Sequence, residues 1–296
     1  MTRAAGPEAP ARLEAGSTRA TLIGGGAVLL WSALALLTTA ASGLPPFELL
    51  TLSFGVAFAA SVVLLSFRGR AALARLRQPL APWLLGFVGL FGYHALYFVA
   101  LANAPPAVAS LIAYLWPLLI VLFAAALPGQ RLRWNHVTGA VLGFAGTALL
   151  LRGGAAASGT ATLLGFAAAF GCALIWSAYS VLNRRFAGVP SEMIGGVCGA
   201  VALAGLACHL AFERSVAPSA AQLAAVAALG AGPVGLAFFA WDFATKHGSL
   251  PVLGALAYLA PLLSTALLIL AGRAEFSVTL VAAAILVVGG AAVAAR

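Results

Sequence analysis

The chain has 296 residues, of which 63% are hydrophobic and only 8% charged, and its mean hydropathy is +1.06. These values exclude a soluble domain, because a soluble surface needs roughly a quarter of the residues charged. The formal net charge of +9 does not indicate nucleic-acid binding, since no basic patch or base-stacking motif accompanies it.

Apolar runs of the length that crosses a bilayer, about 20 helical residues, fill most of the chain. Helices are the form expected, because they satisfy their own backbone hydrogen bonds in lipid. The ten predicted spans are 19–41, 46–67, 81–103, 106–126, 132–152, 160–184, 190–212, 219–246, 249–271 and 275–295. Residues 1–18, rich in alanine, glycine and proline, are predicted to be a disordered cytoplasmic tail.

The basic residues indicate how the chain is oriented in the membrane. With the amino terminus inside, the inner segments carry 13 of the 16 arginines and lysines, and the outer segments carry only Arg152, Arg214 and Arg273. By the positive-inside rule, both termini are therefore predicted to lie in the cytoplasm.

A repeat divides the chain into two halves. IAYLWPLL at 112–119 matches LAYLAPLL at 256–263 after a shift of 144 residues, and LLWSA at 29–33 matches LIWSA at 174–178 after a shift of 145. Since each copy, 19–152 and 160–296, contains five spans, the copies must lie upside down relative to each other. Inverted repeats are typical of transporters with a substrate site at the bilayer midplane, although a duplication can also simply build a bundle.

The predicted fold class is thus an all-α membrane protein of ten transmembrane helices in two inverted five-helix repeats. This layout, the Trp-Ser pairs at Trp31 and Trp176, and the two Ala-Tyr-Leu-x-Pro-Leu motifs resemble the drug/metabolite transporter superfamily, in the branch with paired EamA-type repeats. Within it, the chain looks most like the bacterial aromatic amino acid exporters. The resemblance implies outward transport of aromatic amino acids and similar small solutes across a bacterial inner membrane.

The third span carries three polar rings at its centre. Tyr93, His94 and Tyr97 lie on one helical face, and a histidine at this depth is costly unless it faces the bundle interior or a wet cavity. One interpretation is a substrate wall, in which the imidazole binds a carboxylate or moves a proton. The other is a buried histidine bonded to a neighbouring helix.

Further aromatic residues are predicted to line the same site, with ordinary packing as the alternative. Two follow the entry of the fourth span, two form a stripe on the sixth, and two are repeat mates of Tyr97 and Tyr114. These substrate-binding candidates are Tyr114, Trp116, Trp176, Tyr179, Trp241 and Tyr258.

Two other features have a structural interpretation. Asp242 is the carboxylate best placed for proton coupling, but Lys246 lies four residues on, and a pair between them is the favoured prediction. Glycines at 139 and 143, and at 195 and 199, have the spacing of tight helix contacts.

Together these features predict an exporter of small neutral or zwitterionic solutes, working by alternating access through a central aromatic-lined cavity. No P-loop motif is present, and no cofactor, metal, catalytic residue or nucleic-acid partner is expected. The partners are the substrate and the lipid bilayer, and the fused halves predict a functional monomer. The alternatives are a membrane-embedded enzyme using His94 and a channel or scaffold.

Overall fold

The structure is a computed structural model made of helices, and we number the ten transmembrane helices α1 to α10. It describes residues 8–69, 75–104, 109, 112–124, 127, 132–150, 160–272, 276 and 278–294. The first repeat contains α1 (Glu8–Ser32 and Leu34–Ala40), α2 (Pro46–Phe67), α3 (Leu80–Phe87, Val88–Gly92 and Tyr93–Asn103), α4 (Trp116–Ala124) and α5 (Trp134–Leu150). The second contains α6 (Thr160–Leu182, then Asn183–Phe186), α7 (Met193–Phe212), α8 (Ala220–Leu229, Gly230–Leu236 and Ala237–His247), α9 (Leu250–Ala257 and Leu259–Leu270) and α10 (Val278–Ala294).

The amino-terminal segment differs from the expectation of a disordered tail over residues 1–18. Helix α1 already begins at Glu8, and residues 1–7 lie outside the described part of the chain. Alanine, leucine and glutamate, which favour helices, dominate residues 8–15, and Pro10 falls in the first turn, where proline is tolerated. The local helix propensity therefore outweighs the polar composition of this segment.

The lengths of the helices fit a membrane. Within the described ranges, seven helical segments are long and apolar enough to cross a bilayer. Trp134–Leu150 and Val278–Ala294 have 17 residues each, the lower limit for a span. The tenth span is α4, of which the structure describes residues 109 and 112–124.

Helix packing follows the two inverted repeats. Helices at equivalent places in the two halves pack on each other, α2 against α7, α4 against α9 and α5 against α10. Helix α1 packs on α8 as α6 packs on α3, which is the same contact with the halves exchanged. The bundle therefore has a two-fold relation between its halves, and the places where they meet lie near its centre.

Irregular helical turns also recur with the repeat. Helix α3 contains a π-helical segment at Val88–Gly92, and α8 contains one at Gly230–Leu236, which begins 142 and ends 144 residues later. Helices α4 and α9 are interrupted at Tyr114 and Tyr258, before the prolines at 117 and 261. Proline removes a backbone donor, and π segments redirect side chains, so both devices shape the helices beside the centre.

Glycines at the helix crossings are packing devices, as the sequence predicts. A Cβ atom on Gly139 would collide with the carbonyl oxygen of Gly290, and one on Gly290 would lie 2.6 Å from the carbonyl oxygen of Gly139. Gly195 lies against Ser61 and Gly199 against Phe58. Close contact between α5 and α10 therefore depends on the absence of side chains at the crossing.

We expect Gly290→Ala to destabilise the protein by about 1–3 kcal/mol, because the added methyl group overpacks the α5–α10 crossing. Gly289→Ala is the matched control, since no atom lies within 4 Å of its added Cβ. The measurement is thermal unfolding of the purified protein in detergent. Equal melting temperatures for the two variants would contradict this account of the crossing.

Candidate functional site

A cavity of about 630 Å³ lies between the two halves of the bundle. Its mouth is lined by exposed residues of α1 and the turn after it, among them Leu34, Thr38, Thr39 and Ser42. At the opposite end of the bundle, the ends of α6 and α8 are packed together and buried. The cavity is therefore open at one end and closed at the other, and we call the open part the vestibule.

Four tryptophans form a cluster at the base of the cavity. They come from α1, α4, α6 and α8, and all six pairs of rings are in contact, with centroids 5.1–6.4 Å apart. The members of this tryptophan cluster are Trp31, Trp116, Trp176 and Trp241. Each repeat contributes two rings, so the cluster is where the halves meet.

Hydrogen bonds between the two repeats hold two of these tryptophans, one through its ring and one through its backbone. The indole Nε1–H of Trp31 donates to the carbonyl oxygen of Pro233, 2.9 Å away in the π segment of α8. The hydroxyl of Ser177 lies 2.9 Å from the carbonyl oxygen of Trp116 and 2.6 Å from that of Ala173. Contacts between the two repeats therefore hold the cluster in place.

His94 is oriented by the π segment of its own helix. Its Nδ1 lies 2.6 Å from the carbonyl oxygen of Leu90, which can only accept, so Nδ1 carries the hydrogen. Phe54 and Phe238 meet the ring at nearly right angles, with centroids 5.3 and 6.4 Å away. In the neutral imidazole this arrangement leaves Nε2 as a hydrogen-bond acceptor in a residue that lines the cavity.

The cavity also offers donors that the protein does not use. Among the described residues, the hydroxyls of Tyr93 and Tyr114 and the indole N–H groups of Trp116 and Trp176 make no hydrogen bond, and all four residues line the cavity. None of the lining residues that the structure describes is Asp, Glu, Lys or Arg. The site thus combines aromatic faces, four free donors on aromatic residues and the His94 acceptor without a formal charge.

Six of the nine substrate-binding candidates line this cavity. They are Tyr93, His94, Tyr97, Tyr114, Trp116 and Trp176. The rings of Tyr93 and Tyr97 are stacked, with centroids 5.9 Å apart and planes 12° from parallel.

The other three candidates lie outside the lining. Trp241 is fully buried beneath the cavity as part of the tryptophan cluster. Tyr179 packs against Gly89, whose added Cβ would lie 2.6 Å from its ring.

Tyr258, the repeat mate of Tyr114, faces away from the cavity. Its buried ring fills the space beside Gly143 of α5. The residue 144 positions after Gly143 is Val287, so the mate of this glycine carries a branched side chain. This difference explains why one tyrosine of the pair packs in the protein and the other lines the cavity.

Sequence analysis left three important rings off the candidate set. Trp31 belongs to the tryptophan cluster, and Phe54 and Phe238 flank His94. The repeat could have predicted two of them, because Trp31 is the mate of Trp176 and Phe238 is the mate of His94, 144 residues later. Phe54 pairs with Cys198 at that shift, so the repeat gives no signal for it.

The closed end of the bundle contains the predicted Asp242–Lys246 pair. Lys246 Nζ lies 2.7 Å from Asp242 Oδ2, and the two side chains are 1% and 0% exposed. The prediction of this pair is confirmed. No cluster of His, Cys, Asp and Glu residues that would hold a metal ion occurs in the described part of the chain.

Comparison with known proteins identifies the family. The model of the EamA-like transporter family matches residues 19–152 and 163–296, one match in each half. The chain belongs to this family. Its activity is therefore transport across a membrane rather than catalysis.

Similar proteins are named exporters. The chain is 53% identical over 277 residues to the aromatic amino acid exporter YddG of Ancylobacter novellus, covering 93% of this chain and 96% of the relative. It is 28% identical over 279 residues to the protein of the same name from Salmonella typhimurium, covering 88% and 92%. A solved crystal structure, 52% identical, superposes with a TM-score of 0.89 over 94% of this chain and 96% of that one.

We expect Lys246→Met to destabilise the protein strongly, by about 3–5 kcal/mol, because it leaves the Asp242 carboxylate buried without its partner charge. The double variant Asp242→Asn, Lys246→Met should unfold close to the parent's melting temperature, because no charge remains buried. Thermal unfolding of the three purified proteins checks this. If the double variant is no more stable than Lys246→Met, the loss of stability does not come from an unpaired buried charge, and this account is wrong.

Proposed function

We propose that this protein exports aromatic amino acids from the cytoplasm by alternating access through the central cavity. The observation that carries the proposal is a cavity lined by aromatic rings and without a formally charged side chain. Such a lining favours a neutral or zwitterionic solute with an apolar ring, whereas a polyanion would need an arginine clamp. The names of the relatives support the same substrate class.

The polar groups of the cavity match the two charges of a zwitterion. The free donors on Tyr93, Tyr114 and Trp176 suit a carboxylate, and Nε2 of neutral His94 suits the ammonium group. Burying a zwitterion is unfavourable unless both charges are hydrogen-bonded, so these groups offset its desolvation. The sequence suggested that His94 binds the carboxylate, whereas the Leu90 contact favours the ammonium group.

The size of the cavity fits a small solute. Its volume of about 630 Å³ lies within the roughly 300–1,000 Å³ of ordinary small-molecule sites. The aromatic side chain of the substrate would lie against the parts of Trp31, Trp116 and Trp176 that line the cavity. Edge-to-face and offset contacts between such rings are favourable beyond the area they bury.

The distribution of basic residues supports one orientation of the chain in the membrane, and this orientation fixes which side the vestibule faces. With 13 of 16 basic residues on one side, both termini lie in the cytoplasm of a bacterial cell, and the chain is a multi-pass protein of the inner membrane. The vestibule then opens outward, and the buried ends of α6 and α8 close the cytoplasmic side. Since one chain contains both halves, a monomer in the lipid bilayer forms the complete pathway.

Transport by the purified protein in proteoliposomes tests the substrate class. We expect saturable uptake of labelled tryptophan and phenylalanine, inhibited by unlabelled tryptophan, because ring and zwitterion are both recognised. Lysine and glutamate should compete weakly, since the cavity has no countercharge for their side chains. Non-saturable flux would indicate a channel, and chemical change of the amino acid would indicate an enzyme.

His94→Phe should raise the KM for tryptophan roughly ten- to a hundredfold, the effect expected from losing one hydrogen bond to a charged group. The variant keeps a ring of similar shape beside Phe54 and Phe238, so the fold is preserved. Tyr258→Phe is the control, because this tyrosine packs outside the cavity. Unchanged uptake by His94→Phe would remove the imidazole from the substrate site.

A further inference from the structure

The closed end of the bundle contains a network of buried polar groups that the substrate site does not use. Asp242 and Lys246 lie four residues apart on α8 and form an ion pair there. Both belong to the segment Ala220–His247, which crosses the membrane. Charged side chains at such depth are rare and usually functional, so their other contacts are informative.

The side chains of α6 that contact this pair, Asn183 and Tyr179, are neutral, and the Tyr179 hydroxyl lies 3.5 Å from Oδ1 of Asp242. The side-chain amide of Asn183, at the end of α6, donates to Oδ1 of Asp242 at 2.9 Å, to its carbonyl oxygen at 3.2 Å and to Oγ1 of Thr245 at 3.0 Å. Lys246 Nζ also donates to the carbonyl oxygen of Val189, in the turn that follows α6, at 3.0 Å. Asn183 is itself 3% exposed.

Because both charges lie on the same helix, the contact between α6 and α8 does not depend on the ion pair. The ion pair lies within α8, so α6 and α8 can move apart without separating the two charges. Separating α6 from α8 must break hydrogen bonds from neutral α6 side chains and two bonds from cations to main-chain carbonyl oxygens, Lys246 to Val189 and Arg184 to Gly248, but none of these bonds joins opposite charges. Breaking an ion pair between helices would instead leave two unpaired charges in a region of low dielectric constant.

The inverted repeat shows that the network exists at one end only. The mates of Asp242 and Lys246 at a shift of 144 are Phe98 and Ala102, and the mate of Asn183 at a shift of 145 is Thr38. Phe98 and Thr38 line the open vestibule. Polar contacts of this kind therefore favour closure at the α6–α8 end over closure at the vestibule end.

We propose that Asn183 is the positioning residue that latches α6 to α8 and closes the cytoplasmic end of the pathway, while Asp242 and Lys246 move together on α8 as a neutral pair. The proposal rests on the proposed function only in that transport requires this end to open. It makes Asn183 a determinant of the balance between the two states of the transporter. In this proposal Asp242 remains paired with Lys246 and does not carry the proton of a proton-coupled transport cycle.

Asn183→Asp tests the latch because the new side chain has the same shape and loses the donor. A charged oxygen would replace the nitrogen that lies 2.9 Å from Asp242 Oδ1, and the two carboxylates would repel each other. The balance should shift by roughly tenfold or more toward the state with a closed vestibule, the shift expected from losing one hydrogen bond to a charged group. The same substitution at Asn103, whose amide donates to the carbonyl oxygen of Val99 within α3, is the matched control.

The readout is the labelling rate of a cysteine at Thr38 by a water-soluble maleimide, in purified protein in detergent. Thr38 is exposed in the vestibule, so it reports the state that is open there. Parent protein without the Thr38→Cys change gives the background from Cys172, Cys198 and Cys208. For a parent in which the open state is one to ten times as populated as the closed state, a tenfold shift slows labelling of Asn183→Asp by roughly two- to fivefold, and we expect no change in Asn103→Asp.

Equal labelling rates in folded Asn183→Asp and in the parent would overturn the latch. Folding is checked by gel filtration and thermal unfolding. If Asn183→Asp does not fold, Asn183→Ala replaces it in the same assay, where slower labelling supports the latch and an equal rate overturns it. The assay contains no substrate, so a failure of tryptophan transport would reject the substrate assignment and leave the latch result standing.

Discussion

Contact among the four rings of the tryptophan cluster is the interaction on which the pathway depends. Each half of the chain supplies two of the rings, and Trp31 and Trp176 are mates in the repeat, with centroids 5.7 Å apart. Lipid gives apolar helices little reason to associate, so packing and buried hydrogen bonds must hold the halves together. The cluster does this while its open side forms the base of the cavity, so the same rings hold the halves together and shape the cavity.

The cavity arises from differences between the two copies rather than from their similarity. His94 in the first copy corresponds to Phe238 in the second, so only one side of the site presents an imidazole. Gly143 corresponds to Val287, so Tyr258 packs in the protein while Tyr114 lines the cavity. A symmetric bundle would offer the same groups twice, whereas this one places an imidazole on one side of the cavity and a buried ion pair at one end of the bundle.

The features predicted correctly from the sequence are those that the residues of one segment, or the match between two segments, determine. Apolar length gives the spans, and the shift of 144 residues gives two inverted copies without any structure. The spacing of Tyr93, His94 and Tyr97 places them on one face, and they do share the cavity. Sequence analysis did not foresee that Tyr258 lies outside the cavity lining, because the direction of that ring depends on a glycine in another helix, and it did not predict the two π segments.

The central claim is that two inverted halves expose one aromatic site to each side of the membrane in turn. The most direct test is a counterflow experiment. Proteoliposomes are loaded with unlabelled tryptophan, labelled tryptophan is added outside, and the label inside the vesicles is followed over time. Alternating access predicts a transient accumulation of label above its final level, because the loaded site returns outward carrying unlabelled substrate. A monotonic rise to equilibrium, with the same rate in loaded and empty vesicles, would contradict the account.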